Sequence, residues 1–187
     1  FGLLLNAFPF IRQDWDWSTL RILGVLQRIA LAYFFASIIV VRTDIKGLVK
    51  ISLGLLVSYW LLLIGYGWYS GLDPYGLKTN LVLVLDKLIL GESHLWGGTG
   101  IQFDPEGLLS TIPSVVTVLI GFLVGTMIKT TKDHKDNAQR MAVLGALLII
   151  LGWVWGFLFP INKQLWTSSY VLYTGGIATI VLSAMIW

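Results

Sequence analysis

The sequence predicts an all-α, polytopic transmembrane helix bundle, and three observations carry that reading: its hydropathy, the length of its apolar runs, and the confinement of charge to the connections between them. Hydrophobic residues fill 56% of the chain and charged residues 12%, with a mean hydropathy of +0.79, too little polar surface to coat a soluble globule. Predominantly apolar runs at 23–41, 48–67, 108–128 and 141–159 are each long enough, at about 1.5 Å per helical residue, to cross a hydrocarbon core of roughly 30 Å. Lipid offers the backbone no partners, so uniform apolar runs without strand alternation pair their amides internally as helices.

In chain order, the expectation is a truncated helix at 1–10, four complete spans at the runs above, and a second truncated helix beginning near Ser169. Within the long 68–107 connection, Asn80 and Gly91 bracket a run too short to span, which predicts an interfacial or re-entrant helix between an Asn cap and a Gly stop. Pro113 falls inside the third run and is expected to kink it, with Ser110 or a neighbour satisfying the freed carbonyl. Gly121-x-x-x-Gly125 and Gly152-x-x-x-Gly156 are small-residue signals for helix packing. Pro160 opens a turn that Thr167 or Ser168 closes as the next helix cap. The chain opens at Phe1 and closes at Trp187 inside apolar runs, and residues 1–187 therefore read as a single integral-membrane domain, an internal piece of a longer protein.

The net charge of +3 and pI near 9.2 reflect loop lysines and arginines, so topology explains them and a nucleic-acid partner is not expected. With no cysteine, thiolate metal sites and cysteine nucleophiles are excluded. No phosphate-binding GxxxxGK loop, Ser-His-Asp pattern or metal-protease helix occurs, and no metal is expected. Arg42, Lys46, Lys50, Lys129, Lys132, Lys135 and Arg140 cluster in two alternate connections, which the positive-inside rule places in the cytoplasm. Residues 12–22, 68–107 and 160–168 then share the external face. Trp15, Trp17, Trp68, Tyr69, Trp96, Trp153, Trp155, Trp166 and Tyr170 fall at that side, either as an interfacial belt or as the lining of a cleft for a flat polar ligand.

Candidate chemistry gathers there too. Asp104-Pro105-Glu106 fits a helix N-terminus, with Asp as cap and Pro at the first position, but two carboxylates at a membrane mouth also suit orienting a base or accepting a proton from an amine. His94, the external one of two histidines, is either a packing residue or a ligand or catalytic contact; His134 lies in the opposite connection and cannot join it in a metal site. Gln27 and Arg28 lie inside the first complete run. A guanidinium there must face the bundle interior or snorkel, and with Arg21 seven residues earlier it forms either a basic ladder for an anionic ligand or an ion pair with Asp104 or Glu106. Asn162, Lys163 and Trp166 are presented by the 160–170 turn.

Three segments, 20–30 (LRILGVLQRIA), 103–112 (FDPEGLLSTI) and 161–170 (INKQLWTSSY), resemble in order and spacing the heparan-α-glucosaminide N-acetyltransferase family and its bacterial membrane acyltransferase-like relatives. The resemblance runs over essentially the whole chain. It implies a multi-span enzyme that takes an acetyl group from cytoplasmic acetyl-CoA to the amine of a glucosamine-type sugar on the other side, in a bacterial inner membrane. It implies Arg28 and Gln27 at the donor, Asn162, Lys163 and Trp166 at the acceptor, and Asp104, Glu106 and His94 in the chemistry. The bilayer, an amino-sugar or glycan acceptor and a homodimer partner complete the expectation. The family's catalytic histidine is expected upstream of residue 20, ahead of this sequence. The competing class is a transporter or permease for a small polar solute, with Arg28 and Pro113 marking its pathway.

Overall fold

The structure, a computed structural model, describes residues 1–8, 17–98, 100–130 and 133–187. Trp15, Thr99, Lys132, the end of the expected 1–10 helix and residues 12–16 lie outside the described residues, as does the side chain of Trp17. Seven α-helices follow in order: α1 (Gly2–Ala7), α2 (Val25–Arg42), α3 (Ile45–Ser70), α4 (Leu81–Leu90), α5 (Thr111–Thr130), α6 (His134–Trp155) and α7 (Ser168–Ile186). Short 3-10 turns lie at Trp17–Thr19 and Glu92–His94. Five of the helices, α2, α3, α5, α6 and α7, are long and apolar enough to cross a membrane. The helix expected to be cut short near Ser169 is thus a full span of 19 residues, because Thr167 caps it by accepting the Tyr170 N–H. The chain is an integral membrane protein, and Val41, Tyr33, Phe34 and Met185 on its flanks face outward as lipid-facing side chains do.

Several boundaries move for local reasons. α5 starts at Thr111, three residues later than expected, because 104–110 is a run of turns held by Asp104 and Ser110. Pro113 consequently sits in the first helical turn, where its missing N–H leaves no gap in the ladder, and the expected kink has no cause. α6 begins at His134, because Asp133 accepts the Lys135 N–H and an Asp136–Arg140 pair at 3.0 Å supports its polar first turns. Asn80 caps α4 through the Leu83 N–H at 2.8 Å, and Gly91 ends it at a φ of +86°, as the sequence predicts.

The bundle has two distinct ends. Short connections join α2 to α3 and α5 to α6 at one end, where Ser183 Oγ of α7 donates to Ala138 O of α6. At the other end α3, 26 residues or about 39 Å long, rises into a layer formed by residues 71–110 and the 156–167 turn. Tyr59, Leu63, Val82, Leu83, Leu95, Phe103, Phe159 and Leu165 make a buried core there, and Tyr59 donates its hydroxyl to Leu165 O at 2.6 Å. α6 and α7 pack backbone to backbone: a Cβ on Gly152 would lie 2.6 Å from Tyr173 N, and one on Gly176 the same distance from Gly145 O. Gly121 and Gly125 by contrast face open space among the described residues, so that pair packs no helix here. Trp68, Tyr69 and Trp153 are exposed, as belt residues are, whereas Trp155 packs edge-on to Trp60 and Trp166 turns inward.

Candidate functional site

The turn at 103–110 is the hub of the loop layer. Phe103 is fully buried and its N–H donates to Trp96 O at 2.9 Å, which anchors the turn's start. Asp104 Oδ1 then accepts the Glu106 N–H at 3.0 Å, closing an Asx-turn in place of the helix cap the sequence suggested. The carboxylate also takes Arg21 in a two-pronged pair, Nε to Oδ2 at 2.8 Å and Nη2 to Oδ1 at 2.7 Å, and Glu106 Oε2 accepts from the same Nη2 at 2.7 Å. The hydrogen bond to Asp104 is the main reason the Arg21 guanidinium is held above its ordinary pKa. Arg21 lies ahead of α2 in extended chain, with its guanidinium 5.7 Å from the Trp96 ring, so the expected ladder of Arg21 and Arg28 on one helical face does not form. The ion pair does.

Arg28 is on the first turn of α2 and points inward, 5% exposed. Its Nη2 donates to Pro105 O at 2.7 Å and to Ser110 Oγ, and its guanidinium carbon lies 4.7 Å above the Trp166 ring. Nε and Nη1 are buried without a hydrogen-bond partner. An arginine carries five donors, so a buried edge left free is a costly arrangement that an incoming acceptor would relieve. Trp166 itself adopts φ +51°, unusual for a bulky residue, and its Nε1 donates to Thr117 Oγ1 at 3.2 Å. Backbone strain, an unsatisfied guanidinium and an aromatic face therefore coincide.

The other expected residues divide. His94 Nδ1 lies 2.7 Å from Leu20 O; a carbonyl only accepts, so Nδ1 donates and Nε2 is left for other contacts. The ring and the His94 carbonyl, which accepts the Ile22 N–H at 3.4 Å, brace the segment that delivers Arg21. Gln27 Nε2 donates to Ile22 O at 3.1 Å, which ties down the entry to α2 and turns Gln27 away from the Arg28 contacts. Asn162 Oδ1 accepts the Gln164 N–H at 2.8 Å and shapes the turn that carries Trp166, while Lys163 is exposed. Among the described residues no three His, Asp or Glu side chains converge as a metal would need.

Asp86 escaped the sequence reading. It is fully buried in α4, accepts the Leu108 N–H at 3.0 Å through Oδ1, and has no partner at Oδ2. Burial above all pushes its carboxyl up from 3.8 to about 6. Gly107 makes room for it, since a Cβ there would overlap Oδ2. The one signal for Asp86 in the sequence was a lone acid in the apolar run LVLVLDKLIL.

No family model matches the chain. Two curated proteins are similar to it. The heparan-alpha-glucosaminide N-acetyltransferase of Mus musculus is 29% identical, aligned over 89% of this chain and 33% of its own length. That of Homo sapiens is 28% identical over 97% of this chain and 35% of its own length. The chain spans about a third of the length of the curated relatives it matches. The resemblance carried by residues 20–30, 103–112 and 161–170 thus extends over most of the chain, and the proteins it is similar to are heparan-alpha-glucosaminide N-acetyltransferases.

Proposed function

We propose that this chain forms the donor-binding part of a membrane acyltransferase that moves an acetyl group from acetyl-CoA to the amine of an amino sugar. The observation that carries the reading is Arg28, a buried guanidinium with two nitrogens, Nε and Nη1, unbonded, held between Ser110, Pro105 O and the Trp166 ring. The names of the similar proteins supply the reaction class. Acetyl-CoA would bring the activated acetyl thioester, together with anionic and carbonyl oxygens that suit the free edge of Arg28. An apolar cleft of about 280 Å³ walled by Phe35, Leu55, Leu108 and Thr111 runs beside the same turn and suits an uncharged thioester arm.

The surrounding residues take roles that follow from their contacts. Arg21, Asp104 and Glu106 fix the turn that presents Pro105 O and Ser110 to Arg28. Glu106, half-buried, and His94 Nε2 are the groups suited to receive the proton that an acceptor ammonium must lose before its nitrogen can attack. Trp166, with Asn162 and Lys163 beneath it, offers the flat face on which a sugar ring packs. The basic connections at 42–50 and 129–140 support an orientation with this site on the external side, and a bacterial inner membrane and a homodimer belong to the same reading.

The test is binding of each substrate to purified full-length protein. Arg28→Gln removes charge-assisted hydrogen bonds worth about 1.5–3 kcal/mol, so acetyl-CoA affinity should fall by about 10- to 100-fold while amino-sugar affinity holds. Arg28→Lys should recover part of it, since an ammonium lacks the planar fork. A folded Arg28→Gln protein with unchanged acetyl-CoA affinity defeats the donor assignment, and solute flux without acetyl-CoA binding in the wild type would make the protein a transporter.

A further inference from the structure

The donor reading leaves Asp86 without a role, although a buried carboxyl with one free oxygen is an expensive thing to keep. Its charged surroundings are few. Arg28 from α2 favours its ionised form, whereas Asp104 from the 103–110 turn disfavours it. Tyr59 of α3 also faces it, with its hydroxyl committed to Leu165 O. On its own helix Lys87 is turned to solvent and paired with Glu92 at 2.7 Å.

The pairing pattern singles out two residues. Arg21 occupies Asp104 and Glu106 through three hydrogen bonds, so neither carboxylate bonds Arg28. Arg28 grips the turn by Pro105 O and Ser110 Oγ, both uncharged, and Asp86 grips the same turn by the Leu108 N–H. The buried cation and the buried acid thus hold the same 103–110 turn, each with a free edge, and neither has another charge bonded to it. With Asp86 neutral, the cluster of Arg21, Arg28, Asp104 and Glu106 sums to zero; with Asp86 ionised it carries one excess negative charge.

We propose that Asp86 is the proton-exchanging counter-charge of Arg28, so that docking of an anionic group on the free Nε and Nη1 edge of Arg28 is accompanied by proton uptake at Asp86. An anion on the guanidinium neutralises the cation that favours ionised Asp86 and adds a like charge nearby, and both effects drive the carboxylate to protonate. The proton comes from solvent onto the carboxylate, and no other covalent bond changes. Asp86 is a positioning residue that works through Arg28 and the turn. Only the choice of acetyl-CoA as the anion rests on the donor reading.

The experiment follows the carboxyl itself. Full-length protein in detergent is titrated from about pH 4 to pH 9, spanning the carboxyl range, while its protonated carboxyl band is read by difference infrared spectroscopy. The Asp86→Asn variant assigns the band. Without ligand the midpoint should lie near 6, Arg28→Gln should lift it by about one pH unit or more, and Arg28→Lys should leave it in place. Saturating acetyl-CoA should lift the wild-type midpoint likewise, so that calorimetry across buffers at about pH 6.5 reads about half a proton taken up for a one-unit lift, and none in Asp86→Asn. A midpoint moved by neither Arg28→Gln nor acetyl-CoA overturns the proposal. Acetyl-CoA that binds the wild type without proton uptake overturns it too, and leaves the donor assignment intact. Should acetyl-CoA fail to bind while Arg28→Gln still lifts the midpoint, the donor assignment falls and the counter-charge stands. If Arg28→Gln does not fold, the acetyl-CoA arm on wild type decides.

Discussion

Gly107→Ala is the most economical way to ask whether the 103–110 turn is built around Asp86. A Cβ at 107 would overlap Asp86 Oδ2 and stand 3.0 Å from Val82 Cγ1, and α4 is too tightly held by its Asn80 cap and the buried Val82 and Leu83 to retreat. The turn must therefore lift. Overpacking of this kind costs about 1–3 kcal/mol, and losing the Leu108 N–H bond to a carboxylate adds about 1.5–3 kcal/mol. Together they predict a loss of about 2.5–6 kcal/mol, large for one added methyl group. The assay is unfolding of purified full-length protein in detergent, for Gly107→Ala, Asp86→Ala and the double variant. Removing the obstructing oxygen should return a large part of the Gly107→Ala penalty, so the two changes should couple by about 1–3 kcal/mol. A Gly107→Ala protein within about 0.5 kcal/mol of wild type, or a penalty unchanged in the Asp86→Ala background, would show that the turn is not seated on Asp86.

Asp86→Asn keeps the acceptor for Leu108 and removes the charge. Because burial raises the folded-state pKa from 3.8 to about 6, the native protein holds that proton more tightly than the unfolded chain, and stability drops as pH rises through 6. The variant should gain up to about 3 kcal/mol over wild type near pH 7.5 and nothing below about pH 4, read as the pH dependence of unfolding; equal profiles would refute an unpaired acid there. Tyr59→Phe should lose about 1–2 kcal/mol with the buried 2.6 Å bond to Leu165 O, and a silent substitution would mean that the bond does not hold the 156–167 turn against α3. For orientation, Ser93→Cys should react with an impermeant thiol reagent in intact cells while Lys46→Cys and Lys135→Cys should not, and the opposite pattern would invert the topology.

The fold was legible where the signal was local. Apolar run length located the spans, and Asn80 with Gly91 bounded α4 to the residue, because a cap needs only near neighbours in sequence. Asp104 shows where local reasoning fails. Asp-Pro-Glu ahead of an apolar run reads as a helix start, yet Arg21, 83 residues earlier, takes both carboxylates into a turn. Arg28 was legible as an intramembrane charge that must face inward, and that inference needs only the cost of a guanidinium in lipid. Its neighbours Ser110 and Trp166 belong to turns far along the chain, ahead of α5 and α7, and no spacing rule joins 28, 110 and 166. Asp86 went unnoticed because an acid on a short interfacial helix looks solvated until the 103–110 turn is seen to cover it.

Four separate sacrifices of stability meet within this one layer: a guanidinium with two unbonded nitrogens, a carboxyl with a free oxygen, a tryptophan in left-handed backbone, and a turn that only glycine can pass at 107. Any one of them can occur in a membrane bundle for packing reasons. Their concentration is harder to explain that way, because each could be relieved by an ordinary substitution that leaves the fold intact, such as Asn at 86 or Gln at 28. The α6–α7 pair, built from close-packed glycines, shows that this chain also makes helix contacts without a buried charge. Costs that persist together at the mouth of the bundle are those a bound ligand would relieve, by supplying the acceptor that Arg28 lacks and the anion that lets Asp86 take its proton.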